Sequence, residues 1–341
     1  MSEDAEDPII FSAACPNLRY LTLSGIPLTL TFPRPTIINL KLKDMPGRAL
    51  LSVIRQCPSV IRMTITESPS DFDSDLPTIC HSNIQRLTLE FVKINFLTHL
   101  QRDRMHAFVR SLTVSPLTHL TLWAPNDALW KYHAGSLCTM LNQSQCILTH
   151  LTIHVIPLKS NDLIHLFRCV PLLTDLRVEQ DGWYASDEAA SLALRILVSP
   201  DPLHDGWQDN FAVEIAKIKQ KRTKEFGVLD AIISLNNKIE VSEGEFLLPR
   251  LKYLALDFTI RPCGEMLLAL VYSRWRPSIS DKSCDNPSTD GIPESPDSQL
   301  ACLKSLEIQY RYESDTEYSK NWREDLEQFQ KDGMNIELIV W

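Results

Sequence analysis

The 341-residue chain is poor in glycine, with 10 residues, and it lacks the short motifs around which many enzyme sites are built. No G-x-S-x-G, H-E-x-x-H, C-x-x-C or phosphate-binding glycine loop occurs in it. Asp71, Asp73 and Asp75 resemble the opening of a calcium loop, but Leu76 and Ser82 stand where such a loop needs glycine and glutamate. We therefore expect no enzymatic activity, no bound metal and no cofactor.

Long apolar runs and an excess of positive charge are also lacking. No uncharged apolar stretch of about 18 residues occurs, so we expect no membrane span. The first eight residues are acidic, whereas a secretory signal begins with basic residues. A net charge of -9 argues against binding to nucleic acid, which depends on Lys and Arg. Nine cysteines without a dense framework fit a reducing compartment, and we expect the protein in the cytoplasm or nucleus.

What the chain does contain is a recurring pattern, apolar-x-x-apolar-x-apolar. Its last two apolar positions alternate as they would on one face of a short strand. The nine copies begin at Leu18, Ile37, Val60, Ile84, Leu117, Leu148, Leu173, Leu251 and Leu303. The first copies start about 19 to 24 residues apart, within or beside the range of about 20–29 typical of leucine-rich repeats.

The pattern predicts an α/β leucine-rich-repeat solenoid, a horseshoe with parallel strands on its concave face and helices on its convex face. Helical spacing recurs between the strands at 49–54, 106–112, 163–167 and 189–197. Cys15, Cys57 and Cys169 stand near a proline just before a repeat, where packing explains them better than chemistry.

We expect an acidic tail over 1–11 and one repeat domain over 12–341. Within the domain, an inserted helix is predicted at about 205–240 and a disordered polar loop at about 278–298. A helix and a last strand at about 316–341 would cap the repeats. The lysines of the insertion could meet an acidic partner or anionic lipid, although such a run is more often the solvated side of a helix.

The repeat register also predicts which side chains face away from the core. On strands five to seven these include His119, Trp123, His150, His154, Arg177 and Glu179. They combine an aromatic anchor with titratable groups and both charge signs, as protein-binding hot spots do. We therefore predict a protein ligand on this face, with binding that changes between pH 5 and 8. Alternatively, the following loop with Trp130 and Tyr132 covers Trp123.

The segments 14–23 and 248–256 resemble repeats of the F-box/leucine-rich-repeat proteins of mushroom-forming fungi. Leu267 to Pro277, the unit beginning at Leu303 and the ending Leu326 to Ile336 are similar to the C-terminal third of that family. In that family an F-box docks on a Skp-type adaptor of a ubiquitin ligase, and the repeats hold the substrate.

The resemblance implies that the chain recognises a protein substrate, as the repeats of a ubiquitin-ligase receptor do. We also expect the protein to be a monomer. The first repeat of this chain begins near Cys15, so we expect no F-box before it. Contact with a Skp-type adaptor therefore stays open. A free-standing scaffold and a regulator of another enzyme, such as a GTPase activator, are the alternatives.

Overall fold

The computed structural model describes residues 17–25, 36–45, 47–66, 78–90, 106–123, 134–154, 160–179, 193, 194, 197, 247–258, 267, 268, 270, 271, 274, 303–310 and 318–340. The predicted tail at 1–11, the inserted helix at 205–240 and the polar loop at 278–298 lie outside these residues.

The chain divides into two compact units, each built on parallel strands with helices between them. The first comprises residues 1–170 and 181–185, and the second comprises 171–180 and 186–341. The α/β class predicted from the repeat pattern is confirmed.

The first unit contains parallel strands, and described helices separate some of them. Its elements are β1 (Tyr20–Ser24), β2 (Asn39–Lys43), α1 (Gly47–Gln56), β3 (Arg62–Thr66), β4 (Ile79–Cys80), β5 (Arg86–Glu90), β6 (Leu112–Thr113), β7 (His119–Trp123), α2 (Ala134–Ser144), β8 (His150–His154) and α3 (Ser160–Cys169). Residues 106–111, before β6, are also helical. Six strands form a parallel sheet in the order β1-β2-β3-β5-β7-β8, and β4 pairs separately with β6.

The register of this sheet has no offset between corresponding repeat positions. Leu87 of β5 pairs with Leu120 of β7, which pairs with Leu151 of β8. These three side chains are buried, as are the apolar residues two places further along each strand. The apolar side of the sheet thus forms the core that the sequence predicts, except that Leu21 on β1 is only half-buried.

One hydrogen-bond arrangement repeats from strand to strand. The carbonyl of the residue before a strand accepts from two successive amides of the next repeat: Gln85 O accepts from Thr118 N at 2.9 Å and from His119 N at 3.0 Å. Thr118 O accepts in the same way from Thr149 N and His150 N. These hydrogen bonds fix where each strand starts relative to the strand before it. Side chains at the same repeat position therefore lie next to each other on neighbouring strands.

The second unit contains β9 (Asp175–Glu179), β10 (Tyr253–Phe258), β11 (Ser305–Tyr310), α4 (Tyr318–Lys331) and β12 (Asn335–Val340). These strands are parallel and pair in the order β9-β10-β11-β12. Helix α4 ends near Gly333, whose φ of 101° lies in the left-handed region that favours glycine. The predicted last helix and last strand are therefore confirmed.

Two features were not predicted from the sequence. Helix α2 carries small and polar residues among its apolar ones, which obscures the helical spacing. The β4/β6 pair has two residues per strand, too few for an alternating pattern.

Candidate functional site

The candidate site is the side of the first unit's sheet that faces away from the core. We call it the polar face; it consists of the first, third and fifth residues of β1, β2, β3, β5, β7 and β8. Most of these side chains are exposed or half-buried, and Thr66 is the buried exception. The rows predicted from the repeat register are confirmed in both units, because the intervening positions are the buried ones.

Two of the predicted site residues, His119 and His150, form a stacked pair. The rings lie on neighbouring strands with their centroids 3.9 Å apart and an angle of 8° between the planes. The register brings them together, since His119 of β7 pairs directly with His150 of β8. The sequence placed both on one face but gave no sign of the stacking.

Each histidine also contacts the threonine before it. The Thr118 hydroxyl lies 2.8 Å from Nδ1 of His119 and donates to Gln85 O at 3.2 Å. The Thr149 hydroxyl lies 2.8 Å from Nδ1 of His150 and donates to Thr118 O at 3.2 Å. Nδ1 of each ring therefore hydrogen-bonds to the threonine that precedes it.

Positive charge accompanies the stacked pair. Arg62 of β3 pairs with Arg86 of β5, and Arg86 pairs with His119 of β7. These residues are the first residues of four neighbouring strands, and we call the set the basic column: Arg62, Arg86, His119 and His150. Burial lowers the pKa of His119 to about 4, and His150, Arg86 and Arg62 add to this effect by repelling a positive charge. The expectation that His119 titrates near neutrality is therefore wrong for the unliganded protein.

Trp123 and His154 stand at the fifth positions of β7 and β8 and pair in register. Both are half-buried, so the indole is neither fully covered nor fully in water. Residues 124–133, with Trp130 and Tyr132, lie outside the described part of the chain. The alternative that this loop covers Trp123 therefore stays a prediction.

Glu90 is the fifth residue of β5 and pairs with Trp123, the fifth residue of β7. Its carboxylate accepts from the Thr66 hydroxyl at 2.6 Å and lies 3.7 Å from Nζ of Lys41. Its charge is thus engaged away from the basic column, at the opposite end of the strands.

Arg177 and Glu179, the other two predicted site residues, belong to β9 of the second unit. Nε of Arg177 lies 2.7 Å from the Glu179 carboxylate, and its Nη2 lies 3.0 Å from Glu307 of β11. The corresponding face of this unit is mainly acidic; besides Arg177 it carries Asp175, Glu179, Asp257, Glu307 and Glu337.

Sequence reasoning singled out neither Arg62 nor Arg86 as a site residue. The signal was available, because the same register that places His119 on the polar face places both arginines beside it.

Arg274 of the second unit carried no such signal, since a charged residue is expected at the surface. It is 2% exposed and donates to the carbonyls of Leu197, Leu247 and Leu248 at 3.3, 2.7 and 2.9 Å. Burial lowers its pKa to about 10, which leaves it charged at neutral pH. Its role is to hold backbone segments together.

Two buried cysteine thiols of the first unit, Cys57 and Cys138, are poor nucleophiles. Burial raises the pKa of Cys57 to about 11. Burial and the hydrogen-bonded neighbour Cys169 raise that of Cys138 to about 12. Because the thiolate is the reactive form, these two residues have a packing role. This agrees with the prediction for Cys57.

Among the described residues, no group of three or more His, Cys, Asp and Glu side chains could hold a metal ion. No helix in the described part of the chain is long and apolar enough to cross a membrane.

Comparison with models of known protein families gives no match, and comparison with curated proteins gives no match either.

Proposed function

We propose that the chain is a leucine-rich-repeat solenoid without catalytic activity, and that it binds a protein partner on the polar face. The observation that carries the proposal is the repetition of one strand with one register in each unit. Core positions are apolar in every repeat, whereas polar-face positions vary from strand to strand. A scaffold that holds its backbone constant and varies one surface is suited to recognition.

The composition of the polar face supports a protein ligand. Trp123, two arginines and three histidines lie on neighbouring strands, and Trp and Arg are enriched in the hot spots of protein interfaces. Their spacing is that of the sheet, about 4.8 Å between strands, so a partner could contact several at once.

We propose further that this recognition serves a ubiquitin-ligase receptor of the F-box type, or a free-standing relative of one. This part rests on the sequence resemblance of the repeats and the C-terminal region. A location in the cytoplasm or nucleus accompanies it as a prediction.

Affinity capture from the native host tests the binding face. We expect Trp123→Ala combined with His154→Ala to lose partners that the unmodified protein retains. Ile147→Ala is the matched control, because Ile147 is a strongly exposed apolar residue outside the polar face. Equal partner sets for all three proteins, with unchanged circular dichroism, would contradict binding at this face.

The ligase role has a separate readout in the same capture. Recovery of a Skp-type adaptor with the unmodified protein would support a receptor, and partners without an adaptor would favour a free-standing scaffold. Faster GTP hydrolysis on addition of the protein would instead favour an enzyme regulator.

A further inference from the structure

The two arginines of the basic column do not stabilise the sheet. Arg62 and Arg86 are exposed and lie directly opposite each other on paired strands. Like charges in that position destabilise a sheet. Within the described residues no ion pair involves either arginine. Their charges are therefore available to a ligand.

The column also opposes the charge of the rest of the protein. The whole chain has a net charge of -9, yet no acidic residue occupies the first position of any strand in the first unit's sheet. Glu90, the acidic residue at the fifth position of β5, contacts Lys41 and Thr66 at the opposite end of the strands. A local row of positive charge in an acidic protein selects for a negatively charged partner.

His119 extends this row with a group whose charge depends on pH. In the unliganded protein the charged groups facing His119 are Arg62 from β3, Arg86 from β5 and, when protonated, His150 from β8. These groups disfavour the imidazolium. A carboxylate placed beside Nε2 would reverse the balance, because an opposite charge favours the protonated ring. Binding would then be coupled to proton uptake.

The dimensions of the column fit an extended peptide. Four strands at about 4.8 Å spacing give a row about 14 Å long. In an extended chain the side chains on one side recur every second residue, about 6.8 Å apart. Three alternate carboxylates therefore span about the same length as the four side chains of the column.

We propose that the basic column binds an extended acidic segment of a protein partner, with carboxylates at alternate positions, and that this binding strengthens as the pH falls because His119 becomes protonated in the complex. The inference rests on the proposed function, since it names the chemistry of the partner for the same face.

Fluorescence anisotropy with a labelled (Glu-Ser)4 peptide tests the proposal in the full-length protein at low salt. We expect saturable binding that is tighter at pH 5.5 than at pH 7.5. Most of the peptide carboxylates stay ionised over this range. The (Gln-Ser)4 peptide, with the same length and no charge, should not bind. Equal binding of both peptides would overturn the proposal.

Variants locate the binding on the column. Arg62→Gln with Arg86→Gln should weaken binding about tenfold or more, equivalent to about 1.4 kcal/mol. Arg55→Gln with Arg110→Gln removes the same charge from helical segments of the same unit and should leave binding unchanged. His119→Gln, which keeps a polar group of similar size, should bind with a smaller difference between the two pH values. The same loss in both double variants would mean nonspecific attraction and would overturn the proposal.

A further probe distinguishes carboxylate from phosphate chemistry. A peptide of equal length with phosphoserine in place of the glutamates should not bind more than about tenfold tighter than (Glu-Ser)4. A strong preference for the phosphopeptide would overturn the assignment to an acidic segment. If no acidic peptide binds but Trp123→Ala with His154→Ala still loses captured partners, only this inference fails and the proposed function stands.

Discussion

Arg274 shows how one buried residue stabilises the second unit. Its guanidinium satisfies three backbone carbonyls, and one of them belongs to Leu248, whose φ of 53° lies in the left-handed region. A non-glycine residue in that region requires support from its surroundings. Arg274 provides part of this support from a helical segment of the same unit.

Arg274→Met should lower the free energy of unfolding by about 2 kcal/mol or more. The change leaves buried carbonyls without their donors, and each such group costs about 1–3 kcal/mol. Urea unfolding monitored by circular dichroism provides the measurement. Arg274→Lys keeps the charge but not the planar fork of donors. Its free energy of unfolding should lie between those of Arg274→Met and the unmodified protein. An unfolding midpoint unaffected by Arg274→Met would show that these bonds contribute nothing.

His81 links the stability of the first unit to pH. Its Nε2 donates to Cys57 O at 3.0 Å, and its Nδ1 accepts from Asn83 N at 3.3 Å, so the buried ring is neutral. Burial lowers the pKa of His81, and the bond to Cys57 partly opposes this. A lowered pKa means that the folded state binds the extra proton less well than the unfolded state. The stability that the neutral His81 ring contributes is therefore fully present above the ordinary histidine pKa of about 6.5, and it is lost as the pH falls below that value.

The unmodified protein should therefore lose more stability between pH 7.5 and pH 5 than His81→Gln does. Glutamine retains an N–H donor for Cys57 O but does not titrate in this range. Thermal unfolding at several pH values measures the difference, and His119 is present in both proteins, so its effect cancels. Parallel pH profiles for the two proteins would contradict the assignment.

At the level of the elements, the strands form because two residues of each repeat alternate into the core. On β7, Leu120 is 1% exposed, whereas Thr121 next to it points to the polar face and is half-buried. Substitution on the two faces should therefore differ strongly in effect.

Leu120→Asp should unfold β7 and its neighbours, because an unpaired carboxylate in the apolar core is costly and the leucine packing is lost. Thr121→Asp is the matched control on the same strand, and we expect it to fold with a much smaller loss of stability. Soluble yield and the midpoint of urea unfolding provide the comparison. A similar loss in both variants would mean that the register assigned to β7 is wrong.

The nine strands of the repeats could be predicted from the sequence because their alternation depends only on neighbouring residues. The faces followed from the same alternation, as His119 and Trp123 show. Other features depend on groups distant in the sequence. The His119/His150 stack joins two residues that are 31 positions apart, and Arg274 hydrogen-bonds to a carbonyl 77 residues away. Local patterns carry no information about such contacts.

On the scale of the whole molecule, charge is separated between the two units. The first unit's polar face carries Lys41, Lys43, Arg62 and Arg86, whereas the corresponding face of the second is mainly acidic. We therefore expect an acidic ligand to prefer the face of the first unit. The net charge of -9 conceals this difference between the two faces.

The proposed solenoid architecture predicts that a perturbation acts locally. Repeats contact only their neighbours, so the stability of a solenoid is a sum of local terms. We expect Arg274→Met to raise amide hydrogen exchange in β10 and in the backbone near Leu248, and to leave exchange in β3 and β5 unchanged. Leu87→Ala, which opens a cavity under β5, should have the converse effect. Mass spectrometry of proteolytic fragments after exchange gives both patterns from the full-length chain. If either variant raised exchange equally in both units, the chain would unfold as one cooperative body, and nearest-neighbour stability, on which the solenoid proposal depends, would not describe it.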